Sequence, residues 1–205
     1  MPTAFTTEQQ EEIRETLFHA GIRLSKKVGV QRTTVSKLAA AAGIAKGSFY
    51  SFFESKEAFI LALCEYAGEK TQVMFQKHLR GRNQMTTHEF MDFLREYMNS
   101  EYDLLNGLTL EDVVWLKSHM ADAELFEPTA LISTLQLFFT YVSDVREDID
   151  MGVVVNLIKG MYGMRESRDT LIEAALDNSI EMMLRMLEIY ISGKGDLLGE
   201  ERRKR

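Results

Sequence analysis

The chain is poor in residues that break helices or cross-link a fold. Its 205 residues include two prolines, Pro2 and Pro128, and one cysteine, Cys64. So few breakers, beside plentiful Leu, Met, Ala and Glu, favour helix throughout. One cysteine excludes an internal disulfide and fits a reducing, cytoplasmic setting. Cys64 stands near Phe59, Ile60 and Leu63, where a thiol packs as a small apolar side chain. The longest apolar run, around Phe59–Cys64, falls far short of the roughly 18 residues of a membrane span. The start, Met1-Pro2-Thr3 followed by polar and acidic residues, does not read as a signal peptide.

Histidine is also scarce. His19, His78, His88 and His119 are scattered, with no His-Glu-x-x-His and no Glu-x-x-His pair, so no metal site is expected. No glycine-rich loop follows a strand-like run, and Cys64 has no partners at zinc-site spacing. The carboxylates are abundant but suit solvated helix surfaces. The sequence therefore calls for no cofactor and no catalytic set, and a non-enzymatic role is expected.

The most telling absence is local. From Thr16 through Phe53 there is no Asp or Glu, although the whole chain has a net charge of −7. The same stretch holds Arg23, Lys26, Lys27, Arg32, Lys37 and Lys46. A cationic segment in an anionic protein suggests one end that meets a polyanion.

Helical spacing organises the rest. Thr7 and Gln10 have capping-box spacing, and Ile13, Leu17, Ala20 and Leu24 recur on one face to about Lys27. Gly29 then suits a helix stop. Thr33 or Thr34 caps a second helix reaching Ala42, Gly43 makes the turn, and a third runs over Lys46–Phe52. Ser55 caps a fourth helix to about Leu79, and Thr86 with Glu89 opens a fifth that Asn106-Gly107 breaks. Thr109 starts a sixth with Val113, Leu116 and Met120, Pro128 a seventh, Met151–Met164 an eighth and Ser167–Ile191 a ninth. No alternating segment of strand length is present. The expected fold is all-α with about nine helices: a helix-turn-helix head over residues 1–55, a body over 56–195, and a polar tail over 196–205.

A helix that reads a DNA groove must be short, bear small or polar residues near its start, and be held from behind. The third helix meets this description. Gly47 and Ser48 permit close approach, Lys46 suits phosphate or guanine, Tyr50 offers a hydroxyl to the backbone, and Phe49 and Phe53 point inward. The run from Thr33 to Glu57, TTVSKLAAAAGIAKGSFYSFFESKE, resembles the N-terminal domain of the tetracycline-repressor (TetR) family, with similarity over about Glu11–Thr71. The resemblance implies a homodimeric bacterial transcription factor, usually a repressor, whose C-terminal domain binds a small effector. It also implies a double-stranded operator as partner. On the matching positions it assigns DNA contact to Thr34, Lys37, Lys46, Gly47, Ser48, Tyr50, Ser51 and Lys56. Three departures stand out: Ala45 where a capping Ser or Thr is frequent, Ser51 for a frequent histidine, and Phe52 for a frequent tyrosine. They leave the operator sequence open.

In the body, helices eight and nine are apolar on more than one side, as a shared helix would be. The resemblance places dimerisation there, with Leu157, Met161, Leu176, Ile180, Met183 and Leu187 as candidate interface residues. Tyr66, Phe93, Tyr97, Trp115, His119, Phe138 and Tyr141 are candidate lining of an effector pocket; ordinary core packing is the alternative for each.

Overall fold

The structure, a computed structural model, describes residues 5–106, 108–119 and 128–195. Among these residues the chain is all-α: α1 Thr7–Val28, α2 Val35–Ala41, α3 Lys46–Phe49, α4 Lys56–Leu79, α5 Thr87–Asn99, α6 Leu110–His119, α7 Pro128–Phe139, α8 Met151–Glu166 and α9 Glu173–Ser192. No strand occurs among them, and a lone bridge pairs Met85 with Val142. No described helix is long and apolar enough to cross a membrane. The expected tail over 196–205, and Met120 and Gly107, lie outside the described residues.

The chain divides into two compact units. The first comprises Met1–Gln72 and Ser100–Ala123, the second Val73–Asn99 and Glu124–Arg205. In the first unit, α1, α2 and α3 close over a phenylalanine cluster. Phe18, Phe49, Phe53 and Phe59 are buried, with the Phe53–Phe59 ring centroids 5.0 Å apart and Phe49 5.6 Å from Phe53 and 5.7 Å from Phe59. Leu17, Ile22 and Leu38 complete this core.

Several boundaries depart from the sequence-based expectation for local reasons. The first capping box is Thr6 with Gln9, one residue earlier than expected: Gln9 N–H donates to Thr6 Oγ1 (3.3 Å), and Thr6 N–H donates to Gln9 Oε1 (3.0 Å). Paired threonines and paired glutamines allow either register. The observed one places Phe5 just before the cap, 6.1 Å from the Phe52 ring, like a hydrophobic staple.

α3 is shorter than Lys46–Phe52. Its Ala45 cap offers no side-chain acceptor, and after Phe49 the ladder tightens into three-residue bonds such as Phe52 N–H to Phe49 O (2.9 Å). α5 ends at Asn99, well before Asn106, where the Asn99 amide folds back on Arg95 O (2.8 Å). The single long ninth helix is interrupted. α8 runs on to Glu166, and Ser167–Thr170 form a turn in which Thr170 Oγ1 donates to Ser167 O (2.8 Å). Such local side-chain bonds compete with helix.

In the second unit, Phe75 is buried among Phe93 (5.1 Å), Phe138 (4.7 Å) and Tyr141 (5.5 Å). The Thr86–Glu89 box forms as expected. Glu89 accepts from Thr86 N–H (2.9 Å) and from Arg82 (2.6 Å), and these bonds, Arg82 first, hold its carboxyl down at about 2. The folded chain therefore binds this proton less readily than the unfolded chain does. The contribution is complete above the ordinary carboxylate range and is lost as pH falls from there toward about 2. Glu89→Gln is expected to flatten this part of the acid limb in denaturation midpoints measured against pH; an unchanged limb would show that the box adds nothing.

Candidate nucleic-acid interface

The exposed side of the head is built around α2 and α3. Thr34 caps α2, its Oγ1 accepting from Lys37 N–H at 3.3 Å. Lys37 returns its ammonium to Arg32 O (3.2 Å), which draws the charge along the start of α2. Gly43, at φ 68°, makes the turn that α2 and α3 share.

Lys46, Gly47 and Ser51 are exposed, Ser48 is half-buried, and Tyr50 keeps half its surface in solvent. Phe49, between Ser48 and Tyr50, is wholly buried. A four-residue helix cannot hold itself in water, so the ring cluster behind Phe49 fixes the direction of its outer side chains. Lys46 meets no carboxylate among the described residues, which leaves its charge uncompensated.

Gly47 is informative because the fold does not need it. A Cβ built there meets no atom within 4 Å, whereas glycine in a helix costs about 0.5–1 kcal/mol relative to alanine. The bare backbone leaves the space beside this turn open.

Of the eight DNA-contact positions expected from the sequence, seven lie along Thr34–Ser51. The eighth, Lys56, opens α4 and is half-buried. Its ammonium donates to Gln31 O (2.9 Å) and lies 4.2 Å from the Trp115 ring centroid. Burial, opposed by the charges of Glu57 and Asp112, pulls its pKa below the ordinary lysine value.

Sequence reasoning missed the residue that ties α6 to this head. Asp112 is 2 % exposed. One carboxylate oxygen accepts from Gln31 N–H (2.8 Å), and the other from Thr109 N–H (3.2 Å) and Thr109 Oγ1 (2.8 Å). Gly29 lies against it at φ 86° and ψ 156°, where an added Cβ would sit 2.9 Å from the carboxylate. Glycine is thus required there twice, by conformation and by space. The Thr109-x-x-Asp112 spacing signals a cap, but nothing local signals the bond to Gln31, 81 residues away.

Residues 17–63 match the model of bacterial regulatory proteins of the tetR family. The match is confined to the head and the start of α4. An HTH-type transcriptional regulator of Bacillus subtilis, YerO, is 46% identical over 55 residues, 27% of this chain and 19% of that protein. The nucleoid occlusion factor SlmA of Haemophilus ducreyi is 37% identical over 65 residues, 32% of this chain and 31% of that protein. The matched segments thus span a fifth to a third of these curated relatives. A solved TetR-family transcriptional regulator of Cytophaga hutchinsonii covers 94% of this chain and 100% of its own, with TM-score 0.57 and 17% identity. That likeness shows the fold of the body as well as of the head. Ala45, without a side-chain bond at the α3 cap, is where the head departs from the Ser or Thr frequent in the TetR family.

The expected pocket residues do not form one lining within either unit. Tyr66, Trp115 and His119 belong to the first unit; Phe93, Tyr97, Phe138 and Tyr141 belong to the second. Phe93, Phe138 and Tyr141 pack on Phe75, and Tyr97 stacks 6.2 Å from Phe93, as core rings do. Tyr66 stacks 4.6 Å from Phe18, and burial, then neighbouring Tyr102 and Glu15, push its hydroxyl up to about 12. Trp115 stacks 4.6 Å from His119 beside an open cleft bordered by Gln31, Glu111, Val114 and Ser118. The Cys64 thiol is pushed up to about 11, chiefly by burial, and stays protonated at neutral pH.

The expected dimer positions also divide. Met161, Leu176, Ile180 and Leu187 are buried within the single chain, whereas Leu157 and Met183 are half-exposed. Each helix carries two apolar stripes. Val154, Ile158 and Met161 on α8, with Leu176, Ile180, Leu184, Leu187 and Ile191 on α9, close the unit's own core. The outward stripes are Val153, Leu157, Gly160 and Met164 on α8, and Ala175, Ser179, Met182 and Met186 on α9.

Proposed function

We propose that the protein is a DNA-binding transcriptional regulator, a homodimeric repressor released from its operator by a small-molecule effector. The observation that carries the DNA-binding part is the outer face of α3. Lys46 is exposed and meets no carboxylate among the described residues, Gly47 leaves its Cβ space open, and Tyr50 is exposed beside a wholly buried Phe49. Such a helix suits a major groove, with Thr34 and Lys37 placed for the flanking phosphates. The name of the Bacillus subtilis relative as a transcriptional regulator supports the same reading, as does the match of residues 17–63 to a model of regulatory proteins.

One four-residue helix gives weak sequence discrimination, so two heads about 34 Å apart on one side of the duplex are the natural solution. The outward stripes of α8 and α9 supply the dimer face in this reading. Met182 is 67% exposed and Met186 44%, an expensive display of apolar surface unless a second copy covers it. Met182→Lys is expected to move the mass measured by light scattering from dimer to monomer, with the melting temperature lowered by the lost association and the helical circular-dichroism signal retained. A dimer of unchanged stability in that variant would place the interface elsewhere. For the effector step, α4 is the mechanical element. It runs from Lys56 to Leu79, and in this reading the effector acts on DNA binding through it. Only a ligand that prefers one head spacing could produce release.

Gel-shift titration against the promoter region of the protein's own gene tests the reading. Sequence-selective, salt-sensitive binding is expected, and its absence at low salt would overturn it. Gly47→Ala gives a sharper test because its two effects oppose. It should stabilise the head by about 0.4–1 kcal/mol while weakening operator binding. Unchanged affinity would remove the argument from the open Cβ space.

A further inference from the structure

Lys56 is a proposed DNA contact whose ammonium the protein holds by both a carbonyl and an aromatic ring. Its ammonium sits 4.2 Å from the Trp115 ring and 2.9 Å from Gln31 O. Both partners are held by α6. Trp115 is an α6 residue, and the Gln31 peptide is fixed through its N–H by buried Asp112 (2.8 Å). Arg32, the next residue, reaches Glu111 at 3.7 Å, so two consecutive carboxylates of the first α6 turn grip this one turn of the head. The far side of the contact is also braced, since Trp115 stacks 4.6 Å from His119 one helical turn on.

We propose that α6 withholds Lys56 from DNA: the Trp115 ring and the Gln31 carbonyl compete with a backbone phosphate for the lysine ammonium, so the position of α6 sets the head's affinity. The proposal rests on the reading of Lys56 as a phosphate contact. An ammonium has three donors and no acceptor. With one committed to Gln31 and its apolar approach covered by an indole, the group loses water and the freedom to swing outward. Indole is the strongest of the aromatic faces for a cation, so this hold is selective for the charged lysine. A movement of α6 that carried Trp115 away would restore a mobile charge at the start of α4, with no change in α3. Trp115 is then a positioning residue rather than a DNA contact, and α6 acts on binding strength separately from groove reading.

Trp115 is the only tryptophan of the chain, which makes the contact visible in the unmodified protein. On adding a mixed-sequence 30-base-pair duplex at low salt, the Trp115 emission is expected to change as Lys56 leaves the ring. In Lys56→Met the change should vanish. Trp115→Leu should tighten binding of the same duplex about 2- to 5-fold, with the log–log salt slope unchanged because Lys56 reaches its phosphate in both complexes. Emission indifferent to DNA in the unmodified chain, or equally changed in Lys56→Met, overturns the proposal even if Trp115→Leu does not fold. If Lys56→Met weakens binding but Trp115→Leu leaves it equal or weaker, α6 does not withhold the lysine and the reading of Lys56 survives. If Lys56→Met leaves affinity and salt slope unchanged, the phosphate role of Lys56 fails and the proposal falls with it.

Discussion

Phe49→Ala is expected to destabilise the chain by about 3–5 kcal/mol and to abolish DNA binding, while Tyr50→Ala leaves the fold intact and weakens binding alone. The two residues are adjacent on α3, yet their environments are opposite. Phe49 has no solvent exposure and packs against both Phe53 and Phe59, so its removal leaves a ring-sized void in a small core. α3 is four residues long and has no side-chain cap. Without that ring nothing fixes its direction, and Lys46, Ser48 and Ser51 lose their common face. Tyr50 keeps half its surface in solvent and meets the head through an edge contact with Phe49 (5.6 Å), so its loss should shift stability by no more than about 0.5 kcal/mol. Denaturant unfolding and duplex titration on both variants check the pair. Equal stability losses would mean that α3 does not separate an anchoring side from a reading side.

Asp112→Ala is expected to cost about 1–3 kcal/mol, because it strands the Gln31 N–H beside a buried site and removes the half of the α6 capping box in which Asp112 accepts from Thr109. The two faces of this one carboxylate join different parts of the first unit: Thr109 on its own helix and Gln31 in the turn after α1. Asp112→Asn keeps an acceptor for Gln31 and should lose less. Loss of the bond should also accelerate amide exchange at Gln31 selectively. If Asp112→Ala falls within about 0.5 kcal/mol of the parent, the typical range for surface changes, the carboxylate is not the tie it is drawn as.

How far the sequence revealed these features follows from the range of each interaction. Helix identity was legible because apolar residues such as Ile13, Leu17, Ala20 and Leu24 recur at helical spacing and few prolines interrupt the chain. The caps at Thr34, Ser55 and Thr86 were legible because their bonds close within three residues. Register was not fixed where Thr6-Thr7 faces Gln9-Gln10, and a distant ring contact from Phe5 to Phe52 accompanies the choice. The outer residues of α3 could be named because burial alternates sharply at Phe49. Which apolar residues of α9 close the unit's own core, such as Leu176, Ile180 and Leu187, was not legible, since Met182 and Met186 on its outer side are apolar as well. The Asp112–Gln31 and Lys56–Trp115 contacts left no periodic trace, because each joins distant residues one pair at a time.

The central claim is that the outer face of α2 and α3 meets DNA. Hydrogen exchange of the unmodified protein, with and without a saturating duplex from its own promoter region at low salt, tests it most directly. The account predicts slowed exchange concentrated in residues 34–51, with the buried stripes of α8 and α9 unchanged. DNA-dependent protection that spared 34–51, or arose only in the second unit, would contradict it.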